Sequence, residues 1–254
     1  MTMPKNALVT GSGRRIGRAI ALDLARHGWS VAVHYHTSQE DAEAVAAEII
    51  DAGGKAMTLA ADLGDELQVG TLISDAADAL GPIGCLVNNA SRFERDEADT
   101  VTRESWDGHL DINLRAPFVL IQNMAQGLPH DAEGVVVNML DERVWNLTPH
   151  FTSYTVSKAA LWTLTQTLAL ALAPRIRVNA IGPGPTLASP RQTAAQFQEQ
   201  YESMPLRRAV DPQEICDAVR FIIDAGSMTG QMLALDSGQH LAWAQPAAGQ
   251  SSSE

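Results

Sequence analysis

Seven short apolar runs, each separated from the next by a segment with helical periodicity, constrain this chain more than any other feature. They fall at residues 6–10, 30–35, 55–60, 84–88, 134–139, 177–181 and 231–235. After the first run, Ile16, Ile20, Ala21, Leu24 and Ala25 recur at helical spacing. After the second, Ser38 is placed to cap a helix whose apolar face is Ala42, Val45, Ala46, Ile49 and Ile50, and Gly53-Gly54 stops it. Strands that alternate with helices pair in parallel through crossovers, and a parallel sheet needs cover on both faces. The pattern predicts an α/β fold, a doubly wound parallel sheet of about seven strands with helices on both sides.

No repeat and no linker rich in Pro, Gly or Ser divides the chain, so one domain is expected over residues 1–244, with a small, polar and disordered tail at 245–254. No apolar run reaches the roughly 18 residues of a membrane span, and the start lacks a basic segment leading into an apolar one. A soluble cytoplasmic protein follows. Cys85 and Cys216 lack the spacing of a zinc or redox site and read as reduced core residues; no metal is expected. The net charge of −12 excludes nucleic acid and anionic membranes as partners. Against that background Lys5, Arg14, Arg15, Arg18 and Arg26 face only Asp23 before His36, so the amino end is suited to a small polyanion. Residues 157–173 are apolar almost all round, which predicts a helix buried on every side, at a subunit interface or deep within one subunit.

Gly11, Gly13 and Gly17 lie between the first strand and the first helix, together with Arg14, Arg15 and Ile16. Small residues there let backbone approach a pyrophosphate, which the helix N-terminus attracts. NAD-selective folds place a carboxylate about 20 positions further on. Here the segment reads His34-Tyr35-His36-Thr37-Ser38, with no acid before Glu40. A 2′-phosphate would meet hydroxyls, imidazole and Arg14, so NADPH is expected over NADH. A tight turn without a ligand is the plainer alternative.

Tyr154 and Lys158 form a Y-x-x-x-K, four residues apart on one helical face, which would set the ammonium beside the phenol and favour its ionised form. With the Thr10-Gly11 loop, Asn88-Asn89-Ala90, Asn113 and Pro183-Gly184, the chain resembles the classical short-chain dehydrogenases/reductases from about Ala7 to Gly238. That resemblance implies a Rossmann fold, a homotetramer, catalytic Asn113, Tyr154 and Lys158, and cofactor contacts from Lys158, Asp62, Leu63, Asn89, Ala90, Pro183 and Gly184. Asn113 would also support a water connection to solvent.

Two positions depart from the family pattern. Asp141 stands where a serine is usual, and Arg15 where the loop usually has glycine. Both substitutions resemble the pteridine reductase branch and the bacterial dihydromonapterin reductases, as do His34-Tyr35-His36 with Ser38, where Thr37 stands in place of a frequent arginine, the segment Asn88-Asn89-Ala90-Ser91-Arg92-Phe93, and residues 176–184. The resemblance implies a small pterin-like substrate held by Arg15, Ser91, Phe93, Asp141 and Tyr154, with Phe93 against the flat ring. A reduced C=N bond needs a proton at nitrogen, which a carboxyl can relay better than a serine hydroxyl. For a dihydropterin, hydride would reach C6 while N5 gains a proton through Tyr154, Asp141 or water. Asp141 as a turn cap, Phe93 as a loop anchor and Arg15 as a solvated helix-start residue are the alternatives. Trp145, His150 and Phe151 stay outside the catalytic set, and residues 186–204 are expected to form a substrate lid. A general carbonyl reductase such as a 3-oxoacyl reductase, and an idle NADP-binding regulator, are the competing functions.

Overall fold

A computed structural model describes residues 2–189 and 191–241. The expected tail therefore lies outside the described residues. The strands are β1 (Asn6–Val9), β2 (Ser30–Tyr35), β3 (Ala56–Ala60), β4 (Cys85–Asn88), β5 (Gly134–Met139), β6 (Ile176–Pro183) and β7 (Met232–Leu235). They form one sheet in the order β3-β2-β1-β4-β5-β6-β7, and every pairing is parallel. This is the doubly wound fold expected from the sequence. Its order reverses direction between β1 and β4, where such sheets open a crevice at the carboxyl ends of their strands.

The helices are α1 (Arg15–Arg26), α2 (Gln39–Asp51), α3 (Glu66–Val69), α4 (Leu72–Leu80), α5 (Arg103–Leu110), α6 (Ala116–Gly127), α7 (Thr152–Leu172), α8 (Ala194–Glu202) and α9 (Pro212–Asp224). Alternate side chains of each central strand enter opposite cores, as the two-residue strand period requires. Ala7 and Val9 meet Ile20 and Leu24 of α1, Ile49 of α2 and Ile222 of α9, whereas Leu8 meets Leu72 of α4 and Leu120 of α6. Cys85 and Cys216 are buried and free, and burial pushes both thiols up to about 12. Among the described residues no helix is long and apolar enough to cross a membrane, and no cluster of potential metal ligands occurs.

The long apolar helix is open on one side in the single chain. Within one chain α7 begins at Thr152, ahead of the apolar run, and leaves one stripe uncovered, so the expected burial is met only on its inner side. Val156 is 40% exposed and Leu170 85% exposed, with Thr163 and Thr167 also exposed between them. These positions fall seven, four and three residues apart, which is one helical stripe. The inward stripe is more polar than the hydropathy pattern implied, because Ser153, Ser157, Lys158 and Thr165 are buried on it.

Candidate active site

The glycine turn is built by fit as much as by flexibility. Gly11 has φ +62°, and a Cβ on Gly17 would stand 2.3 Å from the Gly11 carbonyl oxygen and 2.5 Å from Asn89 Nδ2. Thr10 and Asn89 then lock the ends of β1 and β4 together. Thr10 Oγ1 accepts from the backbone N–H groups of Asn89 and Ala90 at 2.9 and 3.0 Å, while Asn89 Nδ2 donates to the Thr10 carbonyl at 2.8 Å. A third tie comes from β2. His34, fully buried, accepts the Gly11 N–H at Nδ1 (3.0 Å) and donates from Nε2 to the Ala61 carbonyl (3.2 Å). Burial lowers its imidazole to about 4, so the ring is neutral and fixed in one tautomer.

Around this turn lies a cavity of about 390 Å³ lined by Gly11, Arg14, Arg15, Ile16, Gly17, Tyr35, His36, Thr37, Ser38, Asn89, Ala90 and Ser91. No carboxylate lines it. Arg14 is ion-paired with Asp41 in the first turn of α2. Asp62 and Leu63 are not part of its wall: Leu63 is buried in the core, and Asp62 accepts from the Gly64 N–H at 2.8 Å with Oδ2 3.7 Å from His36 Nε2. Gly13 packs against Ser38 and the start of α2, where a Cβ would lie 3.2 Å from the Ala42 nitrogen.

A second cavity, about 210 Å³, continues past Arg15 and Ile16 toward Phe93, Asp141, Glu142, Arg143, Pro183 and Gly184, with Pro185, Thr186, Leu187, Ser189, Gln192, Phe197 and Gln200 also in its wall. Arg15, at φ 54°, spans both. Its guanidinium donates to the carbonyl oxygens of Leu187 and Ala188, each at 2.9 Å, and so holds the outer segment to the glycine turn. Arg191 makes the matching tie to Glu94 at 2.7 Å. Phe93 stacks on the buried Phe151 with ring centroids 4.6 Å apart and meets Tyr154 edge-on at 4.7 Å. Phe151 is thus the support under Phe93 and no part of the cavity wall.

Asp141 makes two bonds. One oxygen accepts the Arg143 N–H at 2.9 Å and caps the short 3₁₀ turn Glu142–Val144; the other accepts the Tyr154 hydroxyl at 2.8 Å. Burial, and then the neighbouring Asp141 charge, raise the phenol well above its ordinary value. Lys158 does not hold the phenol. Its Nζ donates to the Met139 carbonyl at 2.8 Å and lies 5.8 Å from the Tyr154 ring centroid, and burial lowers it to about 8. The phenol is consequently a protonated donor aimed at a carboxylate, contrary to the ionised form that the four-residue spacing suggested.

Asn113 lies in a π-helical turn, Asp111–Arg115, that interrupts the run from α5 to α6. Its Oδ1 accepts from Ser91 Oγ (3.1 Å) and the Arg92 N–H (2.8 Å), and its Nδ2 donates to the Arg92 carbonyl and Ser157 Oγ, both at 3.0 Å. These bonds give Asn113 a positioning part, tying the 91–92 loop to α7. Ser91 bonds to it and lines the first cavity, not the second. Pattern reading missed Thr10 and His34 as scaffolds, and Glu142, Arg143 and Gln239 as cavity walls. Glu142 and Arg143 directly follow Asp141, whereas nothing in the sequence marks Gln239.

The chain matches the enoyl-(acyl carrier protein) reductase family model over residues 11–240. It is 32% identical over 244 residues to the 3-oxoacyl-[acyl-carrier-protein] reductase FabG of Staphylococcus epidermidis, covering 94% of this chain and all of the relative. FolM alternative dihydrofolate reductase 1 from Brucella canis, crystallised with NADP, is similar in structure with TM-score 0.92, 49% identity and 96% of each chain covered. A short-chain dehydrogenase from Burkholderia cenocepacia, also crystallised with NADP, matches with TM-score 0.88 and 34% identity over 94% of this chain and 99% of the other.

Proposed function

Because the chain belongs to the classical short-chain dehydrogenase/reductase family, its site must serve a reducing dinucleotide and a proton donor, and we propose that it is an NADPH-dependent reductase of pterin-type substrates. The observation that carries this reading is the Tyr154 hydroxyl donating to Asp141 at 2.8 Å beside the flat ring of Phe93. The 49% identity to a FolM reductase supports it.

The cavity around the glycine turn fits NADPH. Gly11 and Gly17 leave backbone where a side chain would block it, and the absence of a carboxylate from the wall suits a 2′-phosphate. Gly11, Gly13, Arg14, Arg15, Ile16 and Gly17 would hold the pyrophosphate, His36, Thr37 and Ser38 the 2′-phosphate, and Asn89, Ala90, Lys158, Pro183 and Gly184 the nicotinamide end. When bound, NADPH supplies hydride from nicotinamide C4. The protein's own part is the proton. Tyr154, kept protonated by burial, delivers it toward the substrate's ring nitrogen, and Asp141 returns a proton to the phenol from solvent or its surroundings. Phe93 orients the ring, and Asn113 holds the loop that carries Phe93. Substrates for this site are a dihydropterin, dihydromonapterin or dihydrofolate.

A 3-oxoacyl reductase is the second reading, favoured by the acyl-carrier-protein reductases among the relatives. The two are separated by assaying 7,8-dihydrobiopterin, dihydromonapterin, dihydrofolate and an acetoacetyl thioester with NADPH and with NADH. Turnover of a dihydropterin with NADPH, well above that of the thioester, is expected; the reverse order overturns the pterin assignment. In the same assay Thr37→Asp should reverse the cofactor preference, since a carboxylate there repels a 2′-phosphate and accepts from a free 2′-hydroxyl.

A further inference from the structure

A buried chain of hydrogen bonds joins the helical turn of Tyr154 to the loop that carries Phe93. Phe151, which precedes α7, gives that helix no side-chain cap, and its first N–H groups go instead to Asp96. The Asp96 carbonyl accepts the Thr152 N–H at 3.3 Å, and its Oδ1 accepts the Ser153 N–H at 3.1 Å. A carboxylate placed there meets both the unpaired donors and the positive end of the helix. Asp96 Oδ2 also accepts the hydroxyls of Ser153 and, at 2.6 Å, of Ser105.

With its proton committed to Asp96, Ser153 Oγ is left to accept, and the donor 2.7 Å away is His109 Nδ1 of α5. On its other side His109 Nε2 accepts the Glu94 N–H at 3.1 Å. The ring is fully buried, and burial lowers it below the ordinary histidine value, in keeping with the neutral Nδ1–H form that the two bonds together require. Every proton in the chain thus points one way, from Glu94 through His109 and Ser153 to Asp96. Its ends reach opposite sides of the site. Ser153 directly precedes Tyr154, whose ring lies edge-on to His109 with centroids 6.0 Å apart. Glu94 directly follows Phe93, and Arg191 holds the two from outside, donating to the Phe93 carbonyl at 3.3 Å and the Glu94 carboxylate at 2.7 Å.

We propose that His109 is a positioning residue of the reductase, which sets the Phe93 loop and the Tyr154 turn in one register. Its Nε2 side governs how the flat substrate ring is held, and its Nδ1 side governs how the proton donor is aimed. The first half rests on the pterin reading above; the second needs only the Tyr154 proton, which a carbonyl reductase would use as well. His109 touches neither substrate nor cofactor in this role, and it acts through the backbone of Glu94 and the hydroxyl of Ser153.

The test is steady-state reduction of 7,8-dihydrobiopterin at saturating NADPH by the wild type, His109→Asn and His109→Gln, with kcat counted per NADPH site titrated by fluorescence. An asparagine amide reaches the Nδ1 position and still donates to Ser153, but leaves the Glu94 N–H unmet. A glutamine carbonyl reaches the Nε2 position and still accepts from Glu94, but leaves Ser153 without its donor. His109→Asn should raise KM by about three- to tenfold, the range for one hydrogen bond, and keep kcat. His109→Gln should lower kcat by about 10- to 100-fold, as a misplaced reacting group does, and keep KM. A role in stability alone moves neither value per site, so a variant without its own shift, or both variants changing the same parameter, overturns the proposal. If either variant fails to bind NADPH, Ser153→Ala, which removes a single hydroxyl, takes its place: a lower kcat at unchanged KM is expected, and wild-type kcat overturns the role. A wild type that does not reduce dihydrobiopterin overturns the pterin reading, and the acetoacetyl thioester then serves as substrate. His109→Gln should lose kcat there too, and wild-type turnover in it overturns the positioning role.

Discussion

Asp141 divides its two oxygens between a backbone N–H and a phenol, so one substitution disturbs a turn and a proton path together. Asp141→Asn keeps an oxygen for the Arg143 N–H, so the cap survives at a cost of about 1 kcal/mol at most. The carboxylate basicity behind Tyr154 is lost. Turnover of a dihydropterin is expected to fall by about 10²- to 10⁴-fold while NADPH binding persists, measured as single-turnover loss of NADPH absorbance. Tyr154→Phe should do the same, and the double variant should lose much less than the product of the two effects, because the pair acts as a unit. An unchanged hydride-transfer rate in Asp141→Asn would leave the residue a turn cap only. The Asp141 and Tyr154 pair was legible beforehand, since their separation of 13 residues is local and lies within a recognisable motif. Glu142 with Gln239 was not, because 97 residues of chain separate them and only the sheet order brings them to one wall. Nor was the hold of Arg15 on Leu187 and Ala188, since backbone carbonyls carry no mark in a sequence.

Between elements, His34 shows how a strand can brace its neighbours. From β2 it reaches the turn after β1 on one side and the end of β3 on the other, and the bond it accepts from Gly11 requires the neutral ring. A histidine held at about 4, below the 6.5 of an unfolded chain, binds fewer protons when folded. Its stabilisation is complete above pH 6.5 and is lost as the pH falls through 4, amounting to about 3 kcal/mol. Denaturant unfolding at pH 7, 5.5 and 4.5 should show that decline, and His34→Gln should flatten it; an identical slope in the variant would remove His34 as its source. The strands themselves were readable to within a residue or two, because apolar runs bounded by glycine and polar residues leave little freedom. The π-helical turn at Asp111–Arg115 was not, since the residues of an extra backbone loop do not differ from those of the helix around it. α7 began earlier than its apolar pattern for a related reason: Ser153 and Ser157 of its first turns are buried with their hydroxyls bonded to Asp96, His109 and Asn113, whereas hydropathy scores them as exposed.

For the whole molecule, sheet and layers followed from alternation alone, but assembly does not follow from one chain. The open stripe of α7 carrying Val156 and Leu170 is expected to pack on the same stripe of a second copy, since a two-fold contact uses one patch twice. Light scattering at micromolar concentration should report a tetramer, and Leu170→Glu a smaller species; a monomeric wild type would exclude the contact. The uniform strand direction has a consequence for handling the protein. Gly11, His36, Asn89, Asp141, Gly184 and Gln239 all lie beyond strand ends on one rim, whereas Thr2 is bridged to Ala132 on the opposite rim, where β1 and β5 begin. Tethered to a solid support near Thr2, the enzyme would present its mouth to the flowing solution. Tethered just after Leu241, two residues from a wall of the cavity, it would face the support.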